Sequence, residues 1–115
     1  MKENIVKDKS IDFGIRIVNL YKYLTTKGEF VMSKQILKSW TSTGANIAES
    51  EYAESKTDFI HKLSISQKEA NETLYWLELL YKTNYLPEKL FKSFKNDLIE
   101  IQKLLTSIIK TSKNN

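Results

Sequence analysis

Glu54, Asp58 and His61 carry metal-ligating side chains at spacings of four and three residues. To hold a cation they would have to converge in a cleft, with the other donors that divalent ions require. Asp58 and His61 lie one turn apart on a helix but away from its apolar stripe, so the pattern reads as a solvated helix surface. Glu69, Glu72 and Glu78 pose a similar question. A general acid/base pair needs a pocket and environments that separate two protonation states, and no second pocket-forming element accompanies these three. A carboxylate-bridged di-iron or di-manganese bundle needs two Glu-x-x-His pairs, which one histidine cannot supply. With no cysteine there is no thiolate metal site, disulfide or cysteine nucleophile. Glycine-rich phosphate loops, zinc-finger spacings and nucleophile elbows are absent from the sequence, and no serine is paired with a histidine. The residues therefore offer no catalytic set, no metal site and no cofactor, and no small-molecule substrate is evident. The expected role is not enzymatic.

The elements that would position any surface site are helices. Three glycines and one proline in 115 residues leave few breaks, and apolar/polar alternation is nowhere sustained. Ser10 is the expected cap of a helix over residues 10–27, where Phe13, Ile17, Leu20 and Leu24 form the core stripe, Ile11, Ile15 and Val18 flank it, and Gly28 ends it. Ser33 and Thr57 are the expected caps of helices over 33–54 and 57–84. After Pro87, Phe91, Phe94, Leu98, Ile101, Leu105 and Ile108 follow spacings of 3, 4, 3, 4 and 3, a helix over 87–111 with residues 112–115 as a frayed tail. Four amphipathic helices with short connections predict one domain, residues 1–115, folded as an all-α, up-down-up-down antiparallel four-helix bundle.

The second and third helices each have two faces that ask for cover. Leu37, Trp40, Gly44, Ile47 and Ala48 make the expected core side of 33–54, and Gly44 would let a large ring such as Trp40 sit close. The opposite side, Ser39, Ser42, Asn46, Glu49 and Ala53, contains no lysine and no large apolar residue, a surface on which another helix can approach closely. In 57–84 the core stripe is Phe59, Leu63, Leu74, Leu77 and Tyr81, while Ile65, Trp76 and Leu79 point elsewhere. The expectation is that these second faces are subunit contacts of a homo-oligomer, with Asn46 and Glu49 fixing register.

Charge suggests a ligand. The net charge is +4, distributed as +3 over residues 1–34, −3 over 35–81 and +4 over 82–115. Arg16 is the single arginine among eighteen basic residues, so recognition of an anionic polymer would be directed at its backbone and not at base edges. Arg16, Lys22, Lys89, Lys92, Lys95, Lys103 and Lys110 are the candidate contacts to RNA or DNA. Base stacking on tyrosines and phenylalanines is a weaker candidate, because at helical spacing aromatics serve core and interface. The N-terminus MKENIVKDKS has no apolar run and no 18-residue apolar stretch occurs, so no signal peptide or membrane span is expected and the location is cytoplasmic by default.

The run SKQILKSWTSTGANIAESEYAESKTDFIHKLSISQKEANETLYWLELLYKTNYL, and within it GANIAES, DFIHKLSIS and EANETLYWLELL, resembles the four helix bundle proteins known as 23S rRNA intervening-sequence or S23-like proteins. Together with the first and last helices the resemblance covers nearly the whole chain. The sequence departs from that pattern at Lys38, where an arginine is usual, at Thr43, where an isoleucine is usual, and at Ser66, near which an alanine is usual. The resemblance implies a homopentameric ring. It also implies kinship with the accessory variability determinant of diversity-generating retroelements, a basic pentamer that binds a reverse transcriptase and nucleic acid. The expected function is thus an oligomeric nucleic-acid-associated protein, with a ring binding a protein partner such as a reverse transcriptase as the alternative.

Overall fold

The structure, a computed structural model, describes residues 4–115. It contains four helices, α1 (Ile5–Thr26), α2 (Met32–Ser50), α3 (Lys56–Lys82) and α4 (Glu88–Lys113), and no strand among the described residues. Cross-helix contacts give every neighbouring pair an antiparallel sense. Lys9 and Arg16 of α1 reach Glu100 and Asp97 of α4, Ser39 and Thr43 of α2 meet Thr73 and Ser66 of α3, and Gln67 and Asn71 of α3 meet Thr106 and Gln102 of α4. Helices α2 and α3 share the most extensive contact and α1 and α4 the sparsest. The bundle is about 47 Å long and little more than 20 Å across.

Three expected helix ends move. Helix α1 starts at Ile5, not near residue 10, because Asn4 caps it by accepting from the Lys7 N–H, while Ser10 is buried inside the helix and donates to the Lys7 carbonyl. Helix α2 stops at Ser50, so Ala53 lies in the turn beyond it and not on its surface. The expected frayed tail is shorter, since α4 continues to Lys113.

The expected caps at Ser33 and Thr57 are replaced by neighbours. Ser55 caps α3 by accepting from the Asp58 N–H. The α1–α2 connection is built around one residue, Glu29. Gly28, at φ +80°, reverses the chain, and the Gly28 and Glu29 N–H groups donate to the Thr25 and Leu24 carbonyls, closing α1 in a Schellman motif. The carboxylate of Glu29, a residue only 6% exposed, then accepts from the N–H groups of Val31, Met32 and Ser33 and so opens α2. Asn84, at φ 69°, repeats the reversal at the end of α3, with the Tyr85 N–H donating to the Leu80 carbonyl.

The core follows the apolar stripes. In α4, Phe91, Phe94, Leu98, Ile101 and Leu105 are buried, and the stripe ends on Ile109, because strict 3, 4 spacing drifts around a straight helix and leaves Ile108 half-buried. Phe13 joins three helices: its ring lies 4.4 Å from that of Trp40 and 5.9 Å, edge on, from that of Phe94. The Trp40 indole N–H donates to the Ser10 carbonyl at 3.1 Å. The glycine that admits this ring is Gly14, where an added Cβ would sit 3.4 Å from the indole nitrogen. Gly44 has open space around it instead.

Burial pushes the Glu29 pKa up, but the N–H groups of Ser33, Met32 and Val31 outweigh it and hold the carboxyl below its ordinary value. The stability it supplies is present above the unfolded glutamate pKa of about 4.3 and lost as pH falls through the lower folded value. Glu29→Ala should cost about 1 kcal/mol or more at pH 7 in urea unfolding, and the cost should shrink with acidification below about pH 4. A pH-independent loss would contradict the capping role.

Candidate functional site

The two expected surfaces, a subunit contact and a lysine-rich face, both change when the helices are assembled. Ser39 is 1% exposed, its hydroxyl 2.8 Å from that of Thr73. Buried Thr43 accepts through its carbonyl from the Ser66 hydroxyl at 2.9 Å. With Ala70 these residues form a close seam between α2 and α3 inside one subunit, which removes Ser39 from the surface available to another chain. Ser42 and Asn46 remain half-buried on the outer flank of the seam, the Asn46 amide donating to the Ser42 carbonyl, and Glu49 is exposed. Ile65, Trp76 and Leu79 are half-buried on the outer side of α3. Trp76 packs against the core, meets the Tyr75 ring edge on, and donates its indole N–H to Glu72.

A further exposed apolar surface lies on α1. Ile11, Ile15 and Val18 on α1 are 52%, 57% and 38% exposed. They border a groove of about 480 Å³ between α1 and α2, whose α2 wall is Leu37, Gly44 and Ala48, residues expected in the core. The flanking stripe on α1 was visible in the sequence, but its solvent exposure depends on α4 packing on the other side of that helix.

The seven candidate cations do not converge. Arg16 donates to Asp97 at 2.7 Å and to Ser93, with its guanidinium 4.0 Å from the Phe94 ring centre, so it ties α1 to α4. Lys92 pairs with Glu88 at 2.8 Å, a contact that raises the Lys92 pKa and lowers that of Glu88. Lys95 lies 5.9 Å from the Phe91 ring centre. Lys103 and Lys110 are exposed on the far half of α4, about 20 and 30 Å along the helix from Lys89.

Lys22 and Lys89 belong instead to the end of the bundle formed by the α1–α2 and α3–α4 connections. Residues 19–34 and 79–92 meet there and hold six lysines and two glutamates, a net charge of +4 equal to that of the whole chain. Glu29 is committed to its cap and Glu88 to Lys92, so among the described residues Lys22, Lys27, Lys34, Lys82 and Lys89 have no ion-pair partner. Tyr23, Phe30, Val31, Tyr85 and Leu90 are exposed at the same end. Linear sequence concealed this cluster because its two halves are more than forty residues apart.

Asp58, the centre of the metal pattern, accepts from the Glu54 N–H and lies 4.0 Å from Lys62, while His61 is exposed. Among the described residues no group of three histidine or carboxylate side chains is placed to hold a metal ion, and no helix is long and apolar enough to cross a membrane.

The sequence model of the 23S rRNA-intervening sequence protein family matches residues 2–107. The chain belongs to this family. A crystal structure of a family relative, described as a protein of unknown function from the S23 ribosomal protein family of Bacteroides thetaiotaomicron VPI-5482, superposes with a TM-score of 0.92 at 62% identity. The alignment covers 96% of this chain and 99% of that one. No functionally curated protein matches. The intervening-sequence family assignment thus gives the four helices a close experimental counterpart without supplying an activity.

Because Arg16 is committed to Asp97 and Phe94, Arg16→Ala should lower Tm by a few degrees in a thermal melt, and an unchanged Tm would contradict that tie between α1 and α4.

Proposed function

We propose that this intervening-sequence family protein is a non-enzymatic homo-oligomer, with the five-membered ring that its resemblance implies, and that it binds RNA or DNA through the phosphate backbone. The observation that carries the reading is the cluster at the connection end of the bundle. Its net +4 is not cancelled by nearby carboxylates, whereas residues 49–62 at the opposite end hold four acids and two lysines. A low-dielectric protein end crowded with unpaired ammonium groups raises the local concentration of an anionic polymer and releases its counterions on contact. Lysines on flexible stems suit a point-charge contact to phosphate and not a bidentate reading of bases. Exposed Tyr23, Phe30 and Tyr85 offer ring faces on which unpaired bases can stack. In a ring of identical subunits the ends repeat, so weak contacts add along one strand. Lys95, Lys103 and Lys110 lie outside this cluster and contribute background attraction.

Anisotropy titrations with labelled RNA and DNA at about 50 and 200 mM salt test the proposal, and affinity should fall roughly a hundredfold or more between them. Lys27→Ala, Lys82→Ala and Lys89→Ala combined should weaken binding at least tenfold and flatten the salt slope by about two to three units, while Lys103→Ala with Lys110→Ala changes it far less. Absence of binding at the lower salt would overturn the proposal in favour of a ring that binds a protein partner.

A further inference from the structure

We propose that subunits associate head to tail, the α1–α2 groove of one copy receiving the outer face of α3 of the next. This rests on the homo-oligomeric reading above and assigns the two surfaces that meet. The groove is an open apolar channel, with Ile11 and Ile15 along one edge and Leu37, Gly44 and Ala48 along the other. Nothing lies within 4 Å of where a Gly44 Cβ would be, so the channel is open at that point. Such a shape accepts a helix that presents large side chains at i, i+3, i+4 spacing. The outer face of α3 supplies them: Ile65, Tyr75, Trp76 and Leu79, of which Tyr75 is 57% exposed.

Charge decides which occupant fits. Lys22 lines the groove, and exposed Lys38 stands one turn before Thr41 on its α2 wall. Glu69 and Glu72 lie beside Trp76 on the outer face of α3, and with Lys68 one turn before Glu72 the face keeps an acidic excess of one charge. Among the described residues none of Lys22, Lys38, Glu69 and Glu72 takes part in an ion pair within the subunit. A groove-to-groove contact would place lysine against lysine, whereas groove against α3 places lysine against glutamate. Two unlike, complementary surfaces on one chain make a heterologous contact, which closes into a ring when the rotation between neighbours permits. Ser42 and Asn46, on the α2 flank beside α3, then border this contact with their small polar side chains. Lys22 belongs to the subunit contact, leaving Lys27, Lys34, Lys82 and Lys89 for phosphate.

The test is complementation by mixing. Ile15→Asp disables the groove, and Glu69→Lys with Glu72→Lys disables the α3 face. All three positions are exposed or half-exposed, so far-UV circular dichroism should remain that of the wild type. If Ile15→Asp does not fold, Val18→Glu replaces it. Light scattering at micromolar concentration should find the wild type oligomeric and each variant monomeric, and an equimolar mixture should have twice the monomer mass, since it contains one intact groove and one intact α3 face per pair. Adding Lys22→Glu and Lys38→Glu to the α3 variant should restore the wild-type mass. Variants that keep the wild-type mass, or monomeric variants that do not pair on mixing, overturn the assignment of these surfaces. A monomeric wild type would instead overturn the homo-oligomeric reading on which it rests.

Discussion

The structure depends on how closely α2 approaches α3. Ser39, Thr43, Ser66, Ala70 and Thr73 are buried at that seam, and none is larger than threonine, so the two backbones come nearer than leucine-lined helices can. Close approach has a polar condition. Each hydroxyl must find a partner, and they do so within their own helices or across the seam: Thr43 and Thr73 bond back to the carbonyls of Ser39 and Glu69, Ser66 donates across to the Thr43 carbonyl, and Ser39 meets Thr73. Thr43 and Ser66, where the sequence departs from the pattern it resembles, thus face each other.

Fixing the seam fixes the rotation of α2. With its hydroxyl row against α3, the same helix turns Trp40 toward α1, where Gly14 makes room for the indole and the Phe13 ring packs against it at a tilt. The next residues around α2, Leu37, Gly44 and Ala48, are then left along the α1–α2 groove without a full apolar partner. On the other side of α1, Phe94 and Arg16 define the α4 contact and consume the arginine that composition alone offered to a nucleic acid. The Schellman turns at Gly28 and Asn84 finish the same end of the bundle, so the lysines that flank both turns are gathered by backbone geometry and not by proximity in sequence.

Helix number, type and most of the core were legible because they rest on local periodicity. The stripe Phe91, Phe94, Leu98, Ile101 and Leu105 is buried as its spacing required. The row on α2 was legible as a surface needing close cover, but which helix covers it is a question of register, and spacing alone pointed Ser39 at another subunit. Glu29 escaped notice since its carboxylate caps a helix whose first residue is three positions later, with no apolar period to announce it. The exchange of Gly44 for Gly14 has the same origin: sequence marks where a side chain is missing, and only packing says which ring fills the space. Ion pairs from α1 to α4 join residues more than eighty positions apart and left no local trace.

The claim that the hydroxyl row is used inside each subunit is tested most directly by a double-mutant cycle on Ser39→Ala and Thr73→Ala, with unfolding followed in urea at two protein concentrations. The coupling should be about 0.5–1.5 kcal/mol and the same at both concentrations, because the pair belongs to one chain. Strictly additive losses would mean that the two hydroxyls are not coupled, and a coupling that grows with protein concentration would place Ser39 between subunits.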